Sequence, residues 1–180
     1  MKRNLCVILC CFMLCYVNTA YATRSGVSIG AGQGTKHVRG YRFGMTRSWA
    51  NDGVTPNKRK LTGYWELGFT QIHNPVEYDF PTNNNLEATS GSMVLRIPVK
   101  CLLQFYFDAG IGVAYLTNEE ISTRDLGTRW LFEDRLGVGI LFGPRYQYEL
   151  GYRLIHFSNG YLAQVNQGIN LHMVMLGYWL

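Results

Sequence analysis

Leu103-Gln104-Phe105-Tyr106-Phe107-Asp108-Ala109-Gly110-Ile111-Gly112-Val113-Ala114-Tyr115 is the stretch that decides the fold. Leu103, Phe105, Phe107, Ala109, Ile111, Val113 and Tyr115 alternate with Gln104, Tyr106, Asp108, Gly110, Gly112 and Ala114. A strand sends successive side chains to opposite faces, so one face here is apolar and the other polar or small. That is the pattern of a strand with lipid on one side and a barrel lumen on the other.

Seven more segments repeat it. Val27, Ile29 and Ala31 oppose Ser28, Gly30 and Gly32; Tyr41, Phe43 and Met45 oppose Gly40, Arg42, Gly44 and Thr46. Leu61, Trp65, Leu67 and Phe69 oppose Thr62, Tyr64, Glu66, Gly68 and Thr70. Met93, Leu95, Ile97 and Val99 oppose Ser92, Arg96, Pro98 and Lys100. Leu136, Val138, Ile140 and Phe142 oppose Glu133, Arg135, Gly137 and Gly139. Tyr146, Tyr148, Leu150, Tyr152 and Leu154 oppose Arg145, Gln147, Glu149, Gly151 and Arg153, and Val174, Leu176, Tyr178 and Leu180 share one parity. The reading is an all-β fold, an eight-stranded antiparallel transmembrane β-barrel. Bacterial single-chain barrels use even strand numbers starting at about eight, and a barrel that small has room inside only for side chains. Arg42, Arg96, Arg135 and Arg153 share the polar faces with Glu66, Asp108, Glu133 and Glu149, so the lumen can neutralise itself by ion pairing.

Alternation alone does not tell inside from outside, and a soluble sandwich or lipocalin-like barrel would bury the same apolar faces. Two features favour the membrane form. The chain carries 12 Tyr and 20 Gly, suited to aromatic girdles and a close-packed wall. Its N-terminus reads as an export signal: Lys2 and Arg3, an uncharged apolar run from Leu5 to Val17, and Ala20-Tyr21-Ala22 as a small-x-small cleavage site. Residues 1–22 are therefore the expected signal peptide and 23–180 the barrel domain.

Cleavage would remove Cys6, Cys10, Cys11 and Cys15, leaving Cys101 alone, with no disulfide framework and no cysteine metal site. No metal cluster or cofactor motif appears. The formal net charge of +5 falls by two with Lys2 and Arg3, a mild basic excess that suits a phosphate-bearing partner. Export argues against nucleic acid. Placing both termini in the periplasm puts the connections near 32–37, 73–85, 117–128 and 159–168 outside. Lys36, Arg39 and Arg129 then stand at the rim, where phosphates would lie.

Leu154-Ile155-His156-Phe157-Ser158-Asn159-Gly160 breaks the pattern. Parity places His156 and Ser158 on the lipid face, at the outer end of their strand. Polar groups there cost several kcal/mol unless they are satisfied. A base beside a hydroxyl is the minimal acyl-transfer unit. Asn170, on the next antiparallel strand and of lipid-facing parity, can approach His156 and orient the imidazole. His172 sits one step deeper.

His156-Phe157-Ser158-Asn159, followed by Asn166-x-Gly168, resembles the signature of the lipid A 3-O-deacylase family (PagL-like acyloxyacyl hydrolases). The resemblance extends over most of 23–180 and includes Phe132-Glu133-Asp134-x-Leu136-Gly137. It implies an outer-membrane esterase that removes a 3-O-linked hydroxyacyl chain from lipid A of lipopolysaccharide, with Ser158 as nucleophile and His156 as general base. Asn170 would orient the imidazole, Asn159 and Gly160 would form the oxyanion turn, and Asn166 would shape the site. No cofactor is implied. The family's third triad member is an acid where this chain has Asn170, and Gly160-Tyr161 stands where the family has Ala-Gly. The alternatives are a non-enzymatic structural or adhesive barrel, and a phospholipase or acyltransferase using the same residues. A homodimer through the lipid face is left open.

If the export signal is read correctly, mass spectrometry of the exported protein's N-terminus will find Thr23 as its first residue.

Overall fold

The computed structural model describes residues 23–49, 62–76, 83–100 and 104–180. The expected signal peptide and Cys101 lie outside them. The elements run β1 (Ser25–Gly34), a 3-10 turn (Thr35–His37), β2 (Arg39–Ser48), β3 (Thr62–His73), β4 (Asn85–Lys100) and β5 (Gln104–Leu116). A short ribbon, β6 (Glu120–Ile121) and β7 (Arg124–Asp125), precedes β8 (Trp130–Phe142), β9 (Tyr148–Ser158) and β10 (Ile169–Trp179). The eight long strands form one closed antiparallel barrel in the order β1-β10-β9-β8-β5-β4-β3-β2. Closure joins β1 to β10, with Val27 opposite Tyr178 and Gly34 opposite Leu171. No sheet edge is left to face hydrocarbon, the condition any membrane-crossing sheet must meet.

The alternation falls as the sequence indicates. Ile29, Phe43, Leu67, Met93, Phe107, Ile111, Val138, Leu150 and Leu176 point outward. All eight lumen charges are buried. They sort into two clusters. Nearer the end that carries the connections 35–38, 74–84, 117–129 and 159–168, the Glu66 carboxylate pairs with Arg42 at 2.9 Å, Arg135 at 2.9 Å and Arg153 at 3.1 Å. Glu133 takes Arg135 at 2.7 Å and Arg42 at 3.1 Å, with the Ser92 hydroxyl donating to it at 2.8 Å. Nearer the opposite end, Arg96 holds both Asp108 oxygens at 2.8 Å and pairs with Glu149 at 3.0 Å. Its guanidinium lies 3.7 Å from the centre of the Tyr106 ring, and Trp179 Nε1 donates to Glu149 at 2.7 Å.

One feature departs from the sequence reading. The alternation begins at Ser92 on the fourth segment, whereas β4 starts at Asn85. In that added half Leu86 and Ala88 point inward and Glu87 and Thr89 outward. Val38, Ile72, Leu116, Leu131, Ile155, Phe157, Leu171 and Met173 join them as an apolar plug inside the loop end. Polarity inverts because this part of the wall faces water rather than hydrocarbon: Gln33, Arg39, Gln71 and Glu87 form its exposed outer belt.

The buried clusters make a stability prediction. Glu66→Gln leaves three arginines short of a counter-charge. It is expected to destabilise the barrel by about 3–5 kcal/mol, read as a lower urea midpoint for loss of heat-modifiable gel migration.

Candidate active site

β9 carries the site because its inward neighbours are locked. Ile155 and Phe157 are buried in the plug and Arg153 is tied to Glu66, so the intervening residues His156 and Ser158 are fixed on the outer wall. His156 is the central rung of three strands: it lies directly opposite Asn170 on β10 and directly opposite Asp134 on β8. His156 and Ser158 are half-buried and Asn170 is exposed.

His156 Nδ1 lies 2.6 Å from Asn170 Oδ1. With the amide oxygen facing the ring, Nδ1–H donates and Nε2 keeps its lone pair; this tautomer is assigned from the hydrogen-bond network. The Asn170 backbone N–H is itself held by the Thr35 hydroxyl at 3.1 Å. Among the described residues Ser158 makes no hydrogen bond to His156. Such contacts are often long in unliganded sites and tighten when substrate binds. His172, one step deeper, is held by the Tyr152 hydroxyl at 2.5 Å and not by His156.

The turn after Ser158 is built by side chains. Asn159 is buried, and its Nδ2 donates to the carbonyls of Leu126 at 2.8 Å and Val165 at 2.6 Å. Its Oδ1 accepts the Tyr161 N–H at 2.8 Å. The Asn159 side chain is therefore spent on holding the turn. Asn166 Oδ1 accepts the Asn159 N–H at 3.0 Å, which orients its own Nδ2 away from that bond. Gly160 adopts φ +60° over the Phe132 ring. The β6–β7 ribbon braces the turn from behind: Arg124 Nε donates to the Gly168 carbonyl at 2.9 Å, and the Asp125 N–H donates to Gln167 Oε1 at 3.1 Å.

The structure explains the glycine of the motif, Gly168. It sits at φ +53°, and a Cβ there would meet His156 Cε1 at 3.2 Å and the Phe157 carbonyl at 3.1 Å. Sequence reasoning paired His156 with Ser158 and Asn170. It missed Asp134 and the ribbon. The signal for Asp134 was its lipid-facing parity between Phe132 and Leu136.

Below the polar residues a cleft of about 260 Å³ opens on the outer wall, lined by Ala109, Gly110, Asp134, Arg135, Leu136, Leu154 and His156. A larger depression of about 790 Å³ lies further round the wall against Ile29, Tyr41, Phe43 and Phe69, away from His156. The smaller cleft is the one that His156 lines, and Ser158 lies two residues further along the same outward face.

Residues 39–179 match the family described as Lipid A 3-O-deacylase (PagL). The chain belongs to this family. It is 29% identical over 160 residues to the lipid A deacylase PagL of Pseudomonas aeruginosa, covering 85% of each chain. It is 29% identical over 75 residues to the lipid A deacylase PagL of Bordetella bronchiseptica, covering 42% of this chain and 41% of that one. The crystal structure of the outer membrane enzyme PagL superposes with a TM-score of 0.73 at 28% identity, covering 85% of this chain and 98% of the other. The PagL family fold is thus the barrel seen here.

Gly168→Ala is expected to displace the imidazole. Ester hydrolysis should fall about 10- to 100-fold, because misplacement of about 1 Å suffices for that. Heat-modifiable migration should remain that of a folded barrel.

Proposed function

We propose that this chain hydrolyses the 3-O-linked hydroxyacyl ester of lipid A with Ser158 as nucleophile and His156 as general base. Its standing as an outer-membrane hydrolase of lipid A esters follows from its family; the residue roles are the present reading. The observation that carries it is the His156–Asn170 pair at 2.6 Å, on the same outward face as Ser158 and at the head of a cleft in the lipid-facing wall.

Asn170 accepts from Nδ1, so Nε2 is free to take the Ser158 proton as Oγ attacks the ester carbonyl. Charge then gathers on the carbonyl oxygen. We assign its stabilisation to Asn166 Nδ2, since Asn166 Oδ1 is already anchored on the Asn159 N–H and the Asn159 amide is spent on the turn. On this reading Asn159 shapes the turn and Asn166 serves the oxyanion, the reverse of the sequence expectation. The imidazolium returns its proton to the departing sugar hydroxyl. Water, activated by His156, then cleaves the acyl-enzyme and frees the fatty acid.

The surroundings fit a lipid substrate. Ala109, Leu136 and Leu154 give the cleft apolar walls to receive an acyl chain. Lys36, Arg39 and Arg129 are exposed at the same loop end and supply the positive charge that phosphates on a lipid would need. The ester can thus reach Ser158 laterally, with its chains still in the outer leaflet.

Mass spectrometry of lipid A from cells expressing the chain tests this. Wild type is expected to remove one hydroxyacyl mass, and Ser158→Ala to reduce that at least about 10³-fold. Unaltered lipid A beside a folded wild-type barrel would instead favour a structural role.

A further inference from the structure

We propose that Asp134 is the positioning residue that supplies the negative charge His156 needs when it takes the Ser158 proton, a charge the neutral amide of Asn170 does not carry. The inference rests on the Ser158/His156 reading above.

The register carries it. Asp134, His156 and Asn170 are a single outward-facing rung across β8, β9 and β10. Residues directly opposite on antiparallel strands have Cβ atoms about 4.5–5.5 Å apart, well within reach of carboxylate and imidazole. Asp134 and His156 also line the same cleft. Asp134 stands on the lipid-facing wall between Phe132 and Leu136, opposite Ile111 on β5. Among the described residues it has neither a hydrogen bond nor an ion pair, with His156 as with any arginine or lysine, so its charge reaches the imidazole through space. A carboxylate at the edge of hydrocarbon without a partner is expensive, and such residues mark function. Its position is fixed from inside: its neighbours Glu133 and Arg135 both belong to the upper ion cluster.

Two tasks that one carboxylate performs in a serine protease are here divided. Asn170 fixes the tautomer through Nδ1; Asp134 stabilises the imidazolium through space from the opposite flank. The proton moves from Ser158 Oγ to His156 Nε2 and on to the leaving oxygen, and Asp134 stays ionised throughout. The other charged or titratable groups around His156 do not replace it. Arg124 of β7 donates to the Gly168 carbonyl beside the imidazole and Lys36 to the Thr123 hydroxyl, and both are cations. Asp125 turns its carboxylate to the Gly127 N–H. His172 is engaged by Tyr152 on β9.

The test uses the full chain in detergent micelles. The ring proton of His156 is titrated by NMR, and the pH profile of ester hydrolysis is recorded for wild type and Asp134→Asn. His156 must be neutral to act, and the proposal requires the charge of Asp134 to favour the protonated ring. Removing that charge should therefore move both the midpoint and the acid limb down by about one pH unit. Turnover should fall about 10- to 100-fold with little change in KM. Asn170→Glu added to Asp134→Asn should restore much of the turnover. An unmoved midpoint with unchanged turnover overturns the proposal, as does a rise in KM alone, which would make Asp134 a substrate contact. Should Asp134→Asn not fold, Asn170→Asp in the otherwise unchanged chain gives the second reading. With Asp134 already supplying the charge, a second carboxylate should raise turnover little, and a gain of about tenfold or more overturns the proposal. Ser158→Ala keeps the two ideas apart. If it remains active, the Ser/His reading itself fails. If it is inactive and the midpoint is unmoved, only the role of Asp134 falls.

Discussion

Everything in this molecule follows from the requirement that backbone N–H and C=O groups inside hydrocarbon find partners within the protein. Joining β1 to β10 meets it, and no edge remains. Closure then dictates polarity. The outside must be apolar where lipid touches it, and the narrow lumen must be filled. This chain fills it with four arginines and four carboxylates in two clusters whose charges balance only when taken together, and with an apolar plug at the loop end. The lumen therefore has no room for a substrate, and chemistry is left to the outer wall.

The ion clusters and the site are two faces of the same strands. Arg153 on β9 and Glu133 and Arg135 on β8 are clamped inside by Glu66 and Arg42, and their neighbours His156 and Asp134 project outside. Period-two geometry converts an internal salt-bridge network into rigidity for an external site. The connection between β9 and β10 is less regular, so it is tied by other means: Asn159 reaches Leu126 and Val165, and Arg124 reaches Gly168. Strands position His156, and a braced turn follows Ser158.

Most of this architecture was legible because alternation is a local signal. Phe105 to Tyr115 already shows which residues meet lipid, and Glu66, Asp108 and Arg96 already show that the other face must pair. The first half of β4 was illegible for the same reason: above the hydrocarbon, Leu86 points inward and Glu87 outward, so the parity rule holds while its polarity reverses. His156, Ser158 and Asn170 could be found because they violate the rule at a strand end. Asp134 violates it too, but its meaning depends on register against β9, which no local pattern reveals. The hydrogen bonds that spend the Asn159 amide on the turn were hidden because they depend on how the turn closes, and two asparagines in one loop read alike.

The plug of Val38, Ile72, Leu86, Leu131, Phe157, Leu171 and Met173 has a physiological consequence as well. With the salt-bridge layer beneath it, the plug packs the inside of the barrel with side chains. The protein can therefore act on the outer leaflet without needing an open channel of its own. The enzyme alters the chemistry of the permeability barrier while remaining an intact part of it.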